Sequence, residues 1–194
     1  MSTTGETRER GPYAKGVQRR QEILDRTLDV VASRGIDGAS LRAIGEAIGV
    51  SHAALRHYFD SREELLLEVL RERDAHSGVV MGDTVGAFAR LGLAADDNVT
   101  VPGLATLYTT MLATSVEPGN DKSREFFARR FEEARAGLAR ELADELAAAG
   151  RHTDLDLDQV ASLIIAAFDG LQVQWLLDRR VDISATLRLL ERLL

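Results

Sequence analysis

The chain of 194 residues has no cysteine, which excludes disulfides and thiolate metal sites. It shows no apolar run reaching the roughly 20 residues needed to span a bilayer. Its opening stretch, MSTTGETRERGPYAKG, carries charge but no apolar signal core. A cytoplasmic protein is the expectation. Its four histidines, His52, His57, His76 and His152, show no metal-ligand spacing such as His-x-x-x-His on a helix. No Gly-rich phosphate loop and no nucleophile elbow is present either. Serine, histidine and carboxylates do occur, so a helical-bundle enzyme stands as a reading from another class, without a motif to carry it. Neither a metal nor a cofactor is expected.

Positive charge is also in deficit, with 24 Lys and Arg against 31 Asp and Glu and a net charge of −7. The deficit is uneven. Residues 1–60 hold 9 basic and 8 acidic residues, whereas the remainder holds 15 and 23. A locally basic surface can follow phosphates while an acidic body supplies solubility and repels nonspecific DNA. Residues 1–16, with Arg8, Arg10 and Lys15 among glycines and a proline, read as a disordered basic arm that tracks DNA or as a solubilising tail. Arg19 and Arg20, near the start of the first helix (17–34, closed by Gly35), read equally as phosphate contacts or as solvated charge.

The most informative stretch runs from Ser40 to Leu66, SLRAIGEAIGVSHAALRHYFDSREELL. Ser40 caps a short helix whose Leu41, Ile44 and Ile48 recur at helical spacing. Gly49, able to take a left-handed conformation, ends it. Ser51 caps a second short helix with Leu55 and Phe59 facing inward. That leaves Ala53, Ala54, Arg56 and His57 outward or sideways, a set of basic and small side chains suited to a major groove. The pattern is a helix-turn-helix. Ser61-x-x-Glu64 is a capping box that opens the next helix.

Residues 40–66 resemble the DNA-binding signature of the TetR family of bacterial one-component repressors. The match lies at Ser40, Arg42, Ile44, Gly49, Val50, Ser51, Leu55, Tyr58, Phe59, Ser61, Glu64 and Leu65, with departures at His52, Arg56 and Arg62. The resemblance implies DNA contacts from Ser40, Arg42, Ser51, His52, Ala53, Ala54, Arg56, His57, Tyr58 and Arg62. It makes His57 and Tyr58 phosphate contacts, with packing on the first helix as the other reading of Tyr58. Arg56 reads either as a hydrogen-bonding contact to guanine or as a phosphate contact. Arg62, in the first turn of its helix, reads as a phosphate grip.

Beyond the head, helical spacing continues, interrupted by a loop at AADDNVTVPG (residues 94–103) and by Glu117-Pro118-Gly119-Asn120. Asp156-x-x-Gln159 opens a helix in which, from Val160 to Leu177, only Ser162, Asp169, Gln172 and Gln174 are polar. A helix apolar nearly all round must be covered on both sides, most simply by a second copy of the chain. Ser184 reads as the cap of the last helix. The segment AAFDGLQVQWLLD, residues 166–178, resembles the penultimate helix of TetR-family bodies. The resemblance implies a four-helix dimer interface, here with Ile164, Ala167, Leu171, Leu187 and Leu190.

The expected fold is all-α with about nine helices. A disordered arm (1–16) precedes a three-helix helix-turn-helix head (17–60) and a helical-bundle body for ligand binding and dimerisation (61–194). Phe88, Tyr108, Met111, Phe127, Phe131, Phe168 and Trp175, with Asp169 and Gln172 as polar groups, read as an inducer pocket or as plain core. An ionised Asp169 in an apolar helix needs a partner: a cationic ligand, or a hydrogen bond across the dimer. The expected function is a homodimeric repressor of a near-palindromic DNA operator, released by a small-molecule inducer. A dimeric regulator without a ligand, controlled by abundance or a protein partner, is the alternative.

Overall fold

A computed structural model describes residues 12–81 and 86–192, with side chains except at 12–15 and 77–81. Among the described residues there are nine helices and no strand: α1 (Pro12–Gly38), α2 (Leu41–Ile48), α3 (His52–Tyr58), α4 (Arg62–Met81), α5 (Ala87–Thr100), α6 (Leu104–Ser115), α7 (Asp121–Ala148), α8 (Leu157–Leu177) and α9 (Ile183–Glu191). Arg8 and Arg10 of the expected arm lie outside the described residues, as does the side chain of Lys15.

Local chemistry sets most helix ends. Gly35, at φ 69° and ψ 172°, breaks α1 near its end. The hydroxyls of Ser40 and Ser51 accept from the N–H groups of Ala43 and Ala54, each at 3.1 Å. Gly49, at φ 69° and ψ 32°, closes α2. At α4 the Ser61 hydroxyl accepts from Glu64 N–H, and the Glu64 carboxylate accepts from Asp60 N–H at 2.7 Å. Asp156 accepts from the N–H groups of Asp158 and Gln159 at the start of α8. Each such cap stabilises its helix by about 1 kcal/mol.

Three sequence expectations need correction. Residues 94–100 are helical rather than loop, because α5 packs along α9 and its polar residues find partners there and beyond. Asp96 accepts from Ser184, Asp97 pairs with Arg73, and Asn98 meets Gln172. Ser184 is therefore no cap; it is buried, and its hydroxyl also reaches the Gly92 carbonyl at 3.0 Å. Asp182 caps α9 instead, accepting from Ala185 N–H at 2.7 Å. Finally, the 21-residue α8 is by length and composition apolar enough to cross a membrane. Here it packs along α7 and α9, with Ala161 and Ile164 covered.

Apolar burial falls into three clusters. The first joins Ile23, Leu24, Ile44, Leu55, Phe59 and Leu65 to Leu104, Leu107, Met111 and Phe127, so the core of the head runs unbroken into α6 and α7. A second joins α5, α7 and α8 through Phe88, Leu138, Leu142 and Ile164. The third joins Ala95 of α5 to Ile183 and Leu187 of α9, with Phe168, Leu171 and Trp175 against it.

Candidate nucleic-acid interface and body cavity

Helix α3 is held from below by Leu55, which is fully covered, and is followed by the equally covered Phe59. Its other face presents His52, Ala53, Arg56 and His57 to solvent, while Ala54 is half-buried against the first core cluster. No carboxylate lies within α3, and its last turn carries Arg56 and His57. Two small residues beside two basic ones let a helix of about 10–12 Å diameter sit deep in a major groove about 12 Å wide. Tyr58 is half-buried on the same core, its ring edge-on to His57 at 5.4 Å, so it packs as well as flanks the reading face.

The remaining head arginines divide by partner. Arg42, exposed on α2, donates from Nε to Glu46 at 2.9 Å. That hydrogen bond holds Arg42 above and Glu46 below their ordinary pKa ranges, so a phosphate must compete with Glu46. Arg19 pairs with Glu22, and Arg20 pairs with Glu68 of α4 while stacking over Phe59 at 5.3 Å. Arg62, expected to grip a phosphate, turns inward. Its Nε donates to the Ala39 carbonyl at 2.9 Å and its Nη2 to that of Ile36, which also accepts from Ala39 N–H at 3.1 Å just past the break at Gly35. It is a staple between α4 and the segment entering α2. Arg62→Ala is expected to destabilise the fold by about 1.5–3 kcal/mol in urea melts, the range for hydrogen bonds to charged groups. The salt dependence of DNA binding should stay unchanged, whereas loss of a phosphate contact lowers that slope by about one.

In the body, a cavity of about 180 Å³ opens where the apolar clusters meet, with walls from α4, α5, α6, α7 and α8. Four predicted residues line it: Tyr108, Phe168, Asp169 and Gln172. The Tyr108 hydroxyl lies 3.1 and 3.3 Å from the two Asp169 oxygens and accepts from Arg130 Nη1 at 3.2 Å. Arg130 also stacks over the Tyr108 ring at 4.8 Å, and its Nε and Nη2 each reach an Asp74 oxygen at 2.8 Å. Burial pushes the Tyr108 phenol up, and the Asp169 carboxylate adds to that while Arg130 opposes it. Burial also raises the Asp169 carboxyl, which the Tyr108 hydrogen bond and the Arg130 charge only partly reverse. For Arg130, burial disfavours the charge, but hydrogen bonding and attraction to Asp74 outweigh it and raise its pKa.

The other pocket expectations fall elsewhere. Met111, Phe127 and Phe131 belong to the first core cluster. Phe88 belongs to the second, and Trp175 packs against the third under Arg179, 3.6 Å above its ring. Sequence reasoning missed Arg73, Asp74 and Arg130, which sit among other charged residues along α4 and α7.

The expected dimer residues also shift. Ile164 and Leu187 are fully covered within one chain and so have no surface to offer a second copy; Leu171 and Leu190 pack inward in part. Only the half-buried Ala167 adjoins an open face. That face of α8 carries Leu163 (68% exposed), Ala166, Gly170, Val173 (41%) and Leu177 (85%), with Leu189 (51%) of α9 also exposed.

Residues 23–69 match the family model for bacterial regulatory proteins of the TetR family, and residues 106–194 match the C-terminal model of BetI-type transcriptional repressors. The chain belongs to the TetR family. Members are DNA-binding regulators rather than enzymes. A relative, the HTH-type transcriptional regulator PksA of Bacillus subtilis, is 47% identical over 49 residues, 25% of this chain and 24% of that protein. The chain thus matches about a quarter of that relative's length. A TetR-family structure from Rhodococcus sp. superposes with a TM-score of 0.71 at 24% identity, over 88% of this chain and 95% of that one. A transcriptional regulator from Saccharomonospora viridis, solved in complex with choline, gives a TM-score of 0.70 at 22% identity, over 91% and 95%. Both likenesses concern the fold.

Proposed function

We propose that the chain is a homodimeric, cytoplasmic repressor that binds a near-palindromic operator and leaves it when a small molecule fills the body cavity. The observation that carries the reading is the exposed row His52, Ala53, Arg56 and His57 on α3, capped by Ser51 and backed by Leu55. Residues 17–60 then form the DNA-reading head and 61–194 the ligand-binding and dimerising body. Two copies meeting along the open face of α8 would present two such helices to successive major grooves, with a spacing of roughly 10 base pairs or a multiple.

Ligand control is supported by what α4 does. This helix leaves the head and supplies Arg73 and Asp74 to the cavity wall, where Asp74 is gripped by Arg130 of α7. At its start, Glu63 accepts from both the N–H and the hydroxyl of Ser123 in α7. Among the described residues Arg73 Nε is buried without a hydrogen-bond partner, a local conflict that a shift of α4 can relieve. A molecule in the cavity touches the element that carries the head, so its differential affinity for two positions of α4 sets the size of the switch. The choline-holding neighbour supports the view that a body of this fold accommodates small molecules.

The test is selection of genomic fragments by the purified protein at near-physiological salt. Enrichment of a palindromic site is expected; a folded, ligand-free dimer that enriches nothing sinks the reading. On the selected site, Arg56→Ala should lower discrimination against single-base changes by about 1–3 kcal/mol at one position per half-site. A uniform loss of affinity across all variants would make Arg56 a phosphate contact instead.

A further inference from the structure

We infer that Glu68 is a positioning residue for DNA reading: its carboxylate is divided between an arginine that clamps the reading helix and an arginine seated on the body. The inference rests on α3 as the DNA-reading helix and needs no ligand in the cavity. Glu68 of α4 meets α1 with its side chain only 18% exposed. Its Oε2 accepts from Arg20 Nη2 of α1, and its Oε1 accepts from Arg71 Nη1, three residues further along α4. Each guanidinium also lies over a buried ring. Arg20 stands 5.3 Å from the centroid of Phe59, the residue that closes α3, and Arg71 stands 5.3 Å from that of Phe126 in α7. Burial raises the Glu68 carboxyl, but hydrogen bonds from Arg71 and Arg20 outweigh it and hold it below its ordinary range. The carboxylate stays ionised while it serves both.

The clamp acts where the head is weakest. Helix α3 has 7 residues and buries only Leu55, so it is too short to hold its place by its own hydrogen bonds. A ring favours a guanidinium over its face, and a carboxylate fixes which way its nitrogens point. Arg20, held by both, ties α1 to the end of α3. The division also has a direction. An arginine fork can take both oxygens of a carboxylate, and that bidentate pair is the stronger one. Here each oxygen serves one arginine, and Arg20 Nη1 reaches only toward Glu72 at 3.8 Å. Drawing Arg71 away gives Arg20 the whole carboxylate and tightens α3. Arg71 answers to α7: Phe126 meets Phe127 edge-on at 5.1 Å, and Phe127 meets Tyr108 of the cavity wall at 5.7 Å. The position of α7 thus sets the share of Glu68 that α1 receives.

Hydrogen exchange read by mass spectrometry on the full-length protein tests the clamp without DNA. In Glu68→Gln, amides of residues 52–59 should exchange about tenfold faster, as for one lost charge-assisted hydrogen bond, with residues 157–177 within a factor of about two. Arg71→Gln should act in the opposite sense, slowing residues 52–59 by about twofold or more, because Arg20 then holds both oxygens. An ion pair with a structural role alone gives faster exchange in both variants. If Glu68→Gln fails to fold, Arg20→Lys, which keeps the charge and gives up the fork, should accelerate the same residues. On the operator from the fragment selection, Glu68→Gln should bind about tenfold more weakly and Arg71→Gln at least as tightly. Unchanged exchange at 52–59 in the folded clamp variant, acceleration spread evenly over head and body, or faster exchange in Arg71→Gln overturns the inference. So does tighter DNA binding by Glu68→Gln, which makes Arg20 a phosphate contact masked by its carboxylate. Faster exchange of α3 with operator affinity unchanged keeps the clamp and removes α3 as the reading helix. Weaker operator binding with α3 exchange unchanged keeps the reading helix and removes the clamp.

Discussion

Gly170→Arg is expected to give a folded monomer whose affinity for an operator falls by about 10²–10⁴. Gly170 is exposed on α8, midway along the open row Leu163, Ala166, Val173 and Leu177, and a Cβ built there meets nothing within 4 Å of its own chain. The isolated subunit should even gain slightly, because replacing glycine in an exposed helix is worth roughly 0.5–1 kcal/mol. In a two-fold dimer closed along this row the substitution appears twice, and each guanidinium is driven against apolar surface without a partner. Several kcal/mol of association energy is lost. The DNA consequence follows from valence: two heads on one dimer gain about 10²–10⁴ over a single head through effective concentration. Sedimentation equilibrium at micromolar protein and anisotropy on the selected operator give the two readouts. A variant that stays dimeric and keeps its operator affinity would remove this face of α8 from the interface.

The open row on α8 runs through Leu163 and leaves Ile164 inside, which shows where sequence periodicity ends. On a helix apolar nearly all round, Leu163, Ile164 and Ile165 are equivalent in pattern, and only the neighbours decide which is covered. Ile164 meets α5 and α7, and Leu163 is left in water. The caps were legible because each is a contact within four residues, as at Ser40, Ser51, Ser61 and Asp156. The reading helix was legible for the same reason. The loop expected at 94–103 failed for the opposite one: Asp96, Asp97 and Asn98 weaken an isolated helix, and their partners Ser184, Arg73 and Gln172 lie 88, 24 and 74 positions away.

The cavity was half legible. Helical spacing turned Tyr108, Met111, Phe127 and Phe168 inward alike, yet only Tyr108 and Phe168 border empty space, while Met111 and Phe127 meet other side chains of the first cluster. Asp169 and Gln172 stood out as polar residues on an apolar helix, and both line the cavity. Arg130 and Asp74 did not stand out, because on their own helices each sits among other charged residues. The signal that reveals them is mutual: two charges from α4 and α7 satisfying one another at 2.8 Å. Arg62 was misjudged for a related reason. A basic residue at the edge of a reading head suits a phosphate, but the carbonyls of Ile36 and Ala39 lie nearer.

A continuous core from head to body has a seam, and Gly103 lies on it. Gly103 precedes α6 at φ 81° and ψ −15°, and a Cβ there would stand 2.8 Å from the Leu28 carbonyl oxygen and 2.9 Å from Ala32 N, both backbone atoms of α1. Alanine therefore meets two penalties. The left-handed conformation costs about 1–2 kcal/mol. The overlap with α1 cannot be relieved by a rotamer change, so α6 must back away and open the packing of Leu28 and Val31 against Leu104 and Leu107. Gly103→Ala is expected to destabilise the protein by about 3 kcal/mol or more, lowering Tm by roughly 6–12 °C at 2–4 °C per kcal/mol. Gly119→Ala is the control: its φ is 89°, but nothing lies within 4 Å of the added Cβ, so it carries the conformational penalty alone. The difference between the two melts isolates the contact of α6 with α1. Because that contact joins the body to the first helix of the head, Gly103→Ala should also uncouple ligand from operator, with either affinity changed less than twofold by saturating the other site. Equal melts for the two variants, or coupling kept intact in the first, would move the head–body seam to α4 alone.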